Sequence, residues 1–328
     1  MKLKTILQKS LNKKNISREE SAFLLSLSGA DMFDFFGVAN RLREEYSGKY
    51  IKLCAIINAK SGGCEEDCAF CAQSSHYKTK VHVYPLVSNA KIVESAKKAK
   101  SDGAIEFSIV TSGYSIETTE EIKKLAFAIS EMKKATGMGA CASLGILSET
   151  TLKKLKEAGL NHYHHNLETA RSYFPEICTT HDYDDDIKAV LNAKKCGLKV
   201  CCGGIFGLGE SIEQRVELLM TLKELDVDSV PINFLNPIPG TPLEGKNHLT
   251  PLECLKIIAL ARVLLPDKDI VICGGREVNL RDLQPMMFFA GANGTMTGDY
   301  LTTRGRPSEE DLRMIESCGL EPAPMTGD

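Results

Sequence analysis

Cys64, Cys68 and Cys71 stand at C-x3-C-x2-C spacing, behind the glycine pair Gly62–Gly63 and around Glu65, Glu66 and Asp67. Thiolates are soft donors that select iron–sulfur clusters or zinc, and cubane clusters are held by cysteines in short runs of this kind. A structural zinc ion takes four ligands at finger-like spacing, and His76, five residues past Cys71, could complete such a site. Three thiolates without a fourth instead suit a four-iron cluster whose last iron stays open to a substrate. Cysteines that merely fill a core are usually buried singly. The spacing therefore points to a metal centre, and to a cluster before zinc.

Such a loop needs a scaffold, and the pattern from Ile51 onward supplies one. Strands are expected at 51–57, 105–110, 138–144, 161–166, 198–203, 229–235, 270–274 and 294–297. Helical stretches lie between them at 88–102, 116–136, 148–158, 183–196, 210–225, 251–264 and 279–290. Strands alternating with helices imply parallel βαβ units, and eight of them suggest an α/β fold of the closed (β/α)8 TIM-barrel type. Residues 3–46 read as helical throughout, with a capping-box start at Ser17–Glu20 and a break at Ser28–Gly29. The expected organisation is an N-terminal helical extension (1–48), the barrel (49–306), and a C-terminal helix with a loose tail from Glu321 (307–328). The cysteine motif falls in the loop after the first strand, and barrel active sites are built from loops at the C-terminal ends of strands.

Composition narrows the function further. A net charge of −3 with mixed signs leaves no basic surface for nucleic acid. No apolar run reaches membrane-spanning length, and the Lys-rich, arginine-free first fourteen residues read as a short amphipathic helix as well as they read as a transit peptide. Twelve cysteines in a chain without a secretory signal indicate metal or redox chemistry in the cytoplasm rather than disulfides.

A second set of cysteines lies in the strands themselves: Cys54, Cys141, Cys201 and Cys273, in the first, third, fifth and seventh. A barrel interior is filled in layers of four side chains drawn from alternate strands, so these four could surround one central point. A regular strand sends Cys202 the opposite way from Cys201. The glycine-rich run Gly203–Glu210 opens a helix and suits close approach to a flat or anionic ligand. His162–Glu168 ends the fourth strand with many polar groups, and Asn233 is a polar residue in an apolar run that needs a partner if it faces inward. Asp184–Asp186 reads as negative charge at a helix N-terminus. Cys178 lies in a loop as an adventitious ligand at most, while Cys196, Cys254 and Cys318 read as fillers.

With these residues assembled, the chain resembles the radical S-adenosylmethionine (SAM) superfamily. Its runs CAQSSHYKT, ACASLGILSE, HHNLETA, KVCCGGIFGLGES, SVPINFLNPIPGTPL and AGANGTMTGDYLTT look like the biotin synthase family, in order from about Leu25 to about Leu320. The resemblance implies that Cys64, Cys68 and Cys71 hold a [4Fe–4S] cluster that cleaves SAM to a 5′-deoxyadenosyl radical. It implies cofactor contacts at Phe70, Asn166, Glu168 and Ile205, and substrate contacts at Asn166 and Asn233. The implied reaction inserts sulfur from an auxiliary cluster into dethiobiotin to give biotin, with a flavodoxin- or ferredoxin-type electron donor and a homodimeric enzyme. Related barrels of the hydrogenase-maturation and pyrrolysine-pathway types are the alternatives, followed by a non-catalytic iron–sulfur carrier.

The chain departs from the family at the auxiliary site. Familiar members hold a [2Fe–2S] cluster with three strand cysteines and an arginine. Here Ser108 takes one cysteine position and Val271 the arginine position, while Cys54 and Cys273 replace serines. Two ligands are lost and two cysteines are gained. The expectation is a four-iron auxiliary cluster on Cys54, Cys141, Cys201 and Cys273. Asp186 stands where an arginine usually helps to hold the SAM carboxylate, with Arg171 as the candidate replacement.

Overall fold

In the computed structural model, which describes residues 2–116 and 118–325, the chain beyond Tyr50 closes into a barrel. Its strands are β1 (Tyr50–Lys60), β2 (Glu106–Thr111), β3 (Gly139–Ser143), β4 (His162–His164), β5 (Lys199–Cys201), β6 (Gly204–Phe206), β7 (Ser229–Phe234), β8 (Asp269–Ile272) and β9 (Gly294–Met296). All neighbours pair in parallel, and β9 returns to β1 through Lys52↔Gly294, Leu53↔Thr295 and Cys54↔Met296. The eight expected strands are present, with ends shifted by at most three residues. The fifth is broken: β5 meets β7 at Cys201↔Ser229, and pairing resumes in β6 at Gly204↔Ile232.

Gly203 and Gly204 make that break possible. A Cβ on Gly203 would lie 2.0 Å from the Pro231 carbonyl oxygen, and one on Gly204 would lie 2.6 Å from the Glu168 oxygen. Only glycine lets backbones approach so closely.

The barrel is wrapped by α4 (Asn89–Ser101), α5 (Thr119–Thr136), α6 (Glu149–Glu157), α7 (Tyr183–Lys195), α8 (Ile212–Glu224) and α9 (Pro251–Leu264). Each starts in a loop leaving the C-terminal end of a strand, where its first amides need partners. Ser88, Thr118, Ser148, Ser211 and Thr250 supply them through their side chains, at about 1 kcal/mol per cap. These caps fix where each helix begins and thus the length of the loops at the barrel mouth.

The N-terminal extension is three helices, with the expected start at Ser17 and the expected break before Gly29, and is not helical throughout. α1 (Lys2–Leu11), α2 (Arg18–Leu25) and α3 (Gly29–Ser47) are separated at 12–17 and 26–28. Ser17 and Glu20 form the expected capping box, and a helix that starts at its own cap cannot continue the one before it. α3 packs on α9 with Phe35, Phe36 and Leu42 buried. α9 is therefore apolar on both faces, since it lies between α3 and the barrel. The stretch expected as one helix at 279–290 is instead α10 (Arg276–Leu280), a 3-10 turn at Arg281–Leu283 and α11 (Met286–Phe289), with the α-helix broken first at Arg281, whose φ is +51°. After α12 (Ser308–Ser317), the tail does not come loose at Glu321. β10 (Glu321–Pro322) pairs with Tyr50 and Ile51 at the start of β1. The remaining residues expected in that tail, 326–328, lie outside the described part of the chain.

Candidate iron–sulfur and cofactor site

A cavity of about 340 Å³ opens at the C-terminal end of the barrel strands and runs into its interior, within the range of small-molecule sites. One wall is the loop after β1, where hydrogen bonds pin the three-cysteine motif. The Cys64 amide donates to the Gln73 carbonyl at 3.0 Å, the Ser75 amide to Cys64 at 2.8 Å, and the Cys71 amide to Cys68 at 2.9 Å. Gln73 in turn accepts from Asn58 Nδ2 and from the Gly62 amide, both at 3.2 Å. Asp67 ties this loop to the one before α7. Burial works against its charge, yet the Thr179 hydroxyl and amide hold its carboxyl well below the usual range. Cys71 and Phe70 line the cavity.

The donor set fits a four-iron cluster. Donors on one tetrahedral zinc stand about 3.8 Å apart, and the sulfurs of Cys64, Cys68 and Cys71 do not all lie within 4.8 Å of one another. Thiolates on separate irons of a cubane need that wider spacing. His76 does not complete a zinc site, because its Nε2 lies 2.8 Å from the Glu65 carbonyl and its side chain is exposed.

Deeper in the same cavity are Cys54, Cys141, Cys201 and Cys273, one from each alternate stave. All four face inward, and Cys202 faces outward into the core. Cys273 extends β8 by one residue, its amide donating to Ile232 at 2.9 Å. Burial raises all four thiols, with Cys141 and Cys273 pushed up to about 12. They form thiolates only when a metal displaces the protons. No three of these sulfurs lie within 4.8 Å of one another, so this donor set too fits a polynuclear group rather than one ion. Ser108 and Val271 line the same cavity. His164 Nδ1 lies 3.4 Å from Cys201 Sγ, and Cys54 Sγ donates toward Glu106 at 3.7 Å. Motif reading passed over Glu106 and took His164 only as one of the polar groups of His162–Glu168, because only the register of β2, β4 and β5 brings the two beside the cysteines.

Asn166, Glu168, Ile205 and Asn233 all reach the cavity between the two thiol sets. Asn166 Oδ1 accepts from the Gly203 amide at 3.1 Å, and its Nδ2 lies 3.4 Å from Glu168 Oε2. Glu168 sits at φ +58° with its carbonyl accepting from Ile205 at 2.7 Å. Burial, then the nearby Asp186 charge, pushes its carboxyl up to about 8. Asn233 finds its partners in the backbone, accepting from Gly274 at 2.9 Å. Glu210 faces its own loop, where it accepts from the Gly207 and Gly209 amides and from Arg215 Nε. It shapes the glycine-rich turn rather than touching a ligand.

Two expectations fail here. Arg171 does not replace the missing arginine: it lies on the surface, paired with Asp184 at 2.7 Å and stacked on Tyr183. Asp186 is not a simple helix-terminal charge. It is buried, accepts from His165 Nε2 at 2.7 Å, and lies 3.5 Å from His181 Nε2. Only Asp182 and Asp185 play the capping role at α7. Cys178, set aside in the sequence, is buried with its sulfur 3.8 Å from that of Cys68.

Residues 59–222 match the radical SAM superfamily, and residues 231–321 match the biotin and thiamin synthesis associated domain. Biotin synthase of Geotalea uraniireducens is 54% identical over 95% of both chains, and that of Geobacter sulfurreducens is 55% identical over 93% of both. Among solved structures, methylornithine synthase superposes with a TM-score of 0.85 at 24% identity, covering 98% of both chains. The FeFe-hydrogenase maturase of Carboxydothermus hydrogenoformans gives 0.82 at 18% identity, over 98% of this chain and 79% of that one. At such identities these two share the barrel fold and nothing more is inferred from them. The biotin synthases, by contrast, match in sequence along nearly the full length, and this chain belongs to the biotin synthase family of the radical SAM superfamily.

Proposed function

We propose that the chain converts dethiobiotin to biotin, using SAM and two iron–sulfur centres at the two ends of one cavity. The observation that carries this reading is the single cavity joining Cys71 and Phe70 at the mouth to four inward cysteines within the barrel. When bound, the [4Fe–4S] cluster on Cys64, Cys68 and Cys71 supplies the electron that cleaves SAM, and the auxiliary cluster supplies the sulfur. The chain's own part is positional. Asn166, Glu168 and Ile205 hold the cofactor's ribose and adenine, and Asn166 and Asn233 hold the substrate between the two centres. The apolar barrel wall keeps water from a radical that must meet one C–H bond.

The auxiliary cluster is a four-iron one on Cys54, Cys141, Cys201 and Cys273, because these four replace the family's mixed ligand set and line one interior surface. The enzyme acts as a cytoplasmic homodimer reduced by a flavodoxin- or ferredoxin-type donor, with units at 1–48, 49–306 and 307–328. Iron analysis with Mössbauer spectroscopy after anaerobic reconstitution tests the metal assignment. About eight irons per chain, all in four-iron clusters, is the expected result. About six would replace the auxiliary assignment with a two-iron cluster on other ligands. Incubation with SAM and dethiobiotin should yield 5′-deoxyadenosine and biotin; 5′-deoxyadenosine without biotin would overturn the substrate.

A further inference from the structure

We propose that Glu66, Cys178 and His181 form a site for a single divalent, borderline-soft metal ion such as zinc, completed by Cys68 when the radical cluster is absent. Among the described residues, this is the group whose three metal-binding atoms lie within 4.8 Å of one another. Cys178 Sγ is 3.3 Å from His181 Nδ1, and His181 Nδ1 is 2.5 Å from Glu66 Oε2. A fourth donor is close by, although Cys68 stands outside the group whose donor atoms all lie within 4.8 Å of one another and must turn to join it. Cys68 Sγ lies 3.8 Å from Cys178 Sγ, and two thiolates at about 2.3 Å from one tetrahedral ion stand about 3.8 Å apart.

Two further observations point to a ligand rather than to chance packing. Cys178 and His181 are three residues apart, so one short turn before α7 presents both. Behind the ring, the buried Asp186 Oδ2 lacks a hydrogen bond and lies 3.5 Å from His181 Nε2. A metal-bound histidine donates its other ring N–H to a carboxylate in this way, which fixes its tautomer and its direction. Any protons held among these donors are displaced to solvent when the ion binds.

Because Cys68 serves both centres, they exclude one another. A zinc ion held here keeps Cys68 from iron, and an assembled radical cluster leaves the site with three protein donors. The four interior cysteines are not involved, so the proposal is independent of the auxiliary-cluster reading.

The test uses the full chain stripped of clusters by anaerobic chelation, with zinc, and cadmium for NMR, as the probes. Wild-type protein should retain one more zinc per chain than Cys178→Ser or His181→Gln. The cadmium signal for a two-thiolate site should be present in wild type and absent from both variants. Asp186→Asn should weaken this ion's binding about 10-fold to 100-fold. Both variants are checked for folding by their iron content after reconstitution. Zinc added before iron and sulfide should lower radical-cluster loading in wild type, and Cys178→Ser should raise the zinc concentration required at least about 10-fold. Equal zinc stoichiometry and unchanged cadmium spectra in wild type and both variants would overturn the site. Equal zinc sensitivity of cluster loading in Cys178→Ser would overturn the competition.

Discussion

Asp311→Ala is the perturbation whose effect the structure defines most closely. Arg276, after the seventh stave, is fully buried and uses its guanidinium to join three segments. Its Nη2 donates to both Asp311 oxygens at 2.8 Å, its Nη1 to Gln284 at 2.9 Å, and its Nε to the Tyr300 hydroxyl at 3.2 Å. Asp311 is itself fully buried on α12, and Arg306 Nε stands 3.9 Å from it. Removing the carboxylate leaves a desolvated guanidinium whose remaining counter-charge is Glu277 Oε1, 3.6 Å from Nε, with Arg306 near by, at a cost of about 3–5 kcal/mol. An unfolding entropy of about 2.1 cal/mol/K per residue gives about 0.7 kcal/mol/K for a chain of this length. The midpoint of cluster-free protein should then fall by about 4–7 °C in a thermal melt followed by circular dichroism. Tyr300 lines the cavity, so reconstituted enzyme should also show a raised KM for dethiobiotin. Arg276→Met/Asp311→Leu removes both charges and should recover at least half of the lost stability. A fall below about 1 °C in the single variant, or a double variant less stable than it, would refute the argument that loss of the buried bidentate partner is what matters.

Other expectations follow from the same geometry. Glu210→Ala frees the glycine-rich turn and should lower kcat/KM about 10-fold to 100-fold, with Glu210→Gln recovering part of the loss in steady-state assays. Gly203→Ala places a methyl 2.0 Å from the Pro231 oxygen and should destabilise by about 3 kcal/mol or more in urea melts; a shift within error would show that the β5–β6 break can relax. Leu24→Ala, in a fully buried position of α2, should cost about 2–5 kcal/mol if the N-terminal helices unfold together with the barrel. Removing iron by chelation should leave the far-ultraviolet circular dichroism unchanged while lowering the melting midpoint, since ligands that bind only the native state add stability by mass action.

The barrel was legible because its signal is local and repeated. A strand's apolar run, a capping residue and an amphipathic helix each announce themselves within about fifteen residues, and eight repetitions leave few architectures. Ser17 and Glu20 placed a helix start correctly for the same reason. The errors fell where the outcome depends on a partner distant in sequence. The expected break at Ser28–Gly29 is present, but the end of α1 at Leu11 was not marked in the sequence. Glu321 and Pro322 read as tail residues until β1 offers them an edge to pair with.

The site divides along the same line. The sequence by itself determined the chemistry: C-x3-C-x2-C is a contiguous motif, and the four strand cysteines follow the alternation of barrel layers. What only the tertiary structure decided is which side chains from separate loops meet. Asp186 looks like helix-terminal charge in the sequence and proves to be a buried acceptor between His165 and His181. Arg171, the candidate cation, turns to the surface and pairs with Asp184. Cys178 is 110 residues from Cys68 and touches it. Spacing along a chain encodes contacts within one turn or one strand, whereas contacts between loops depend on how the barrel closes and on the loops that cap it.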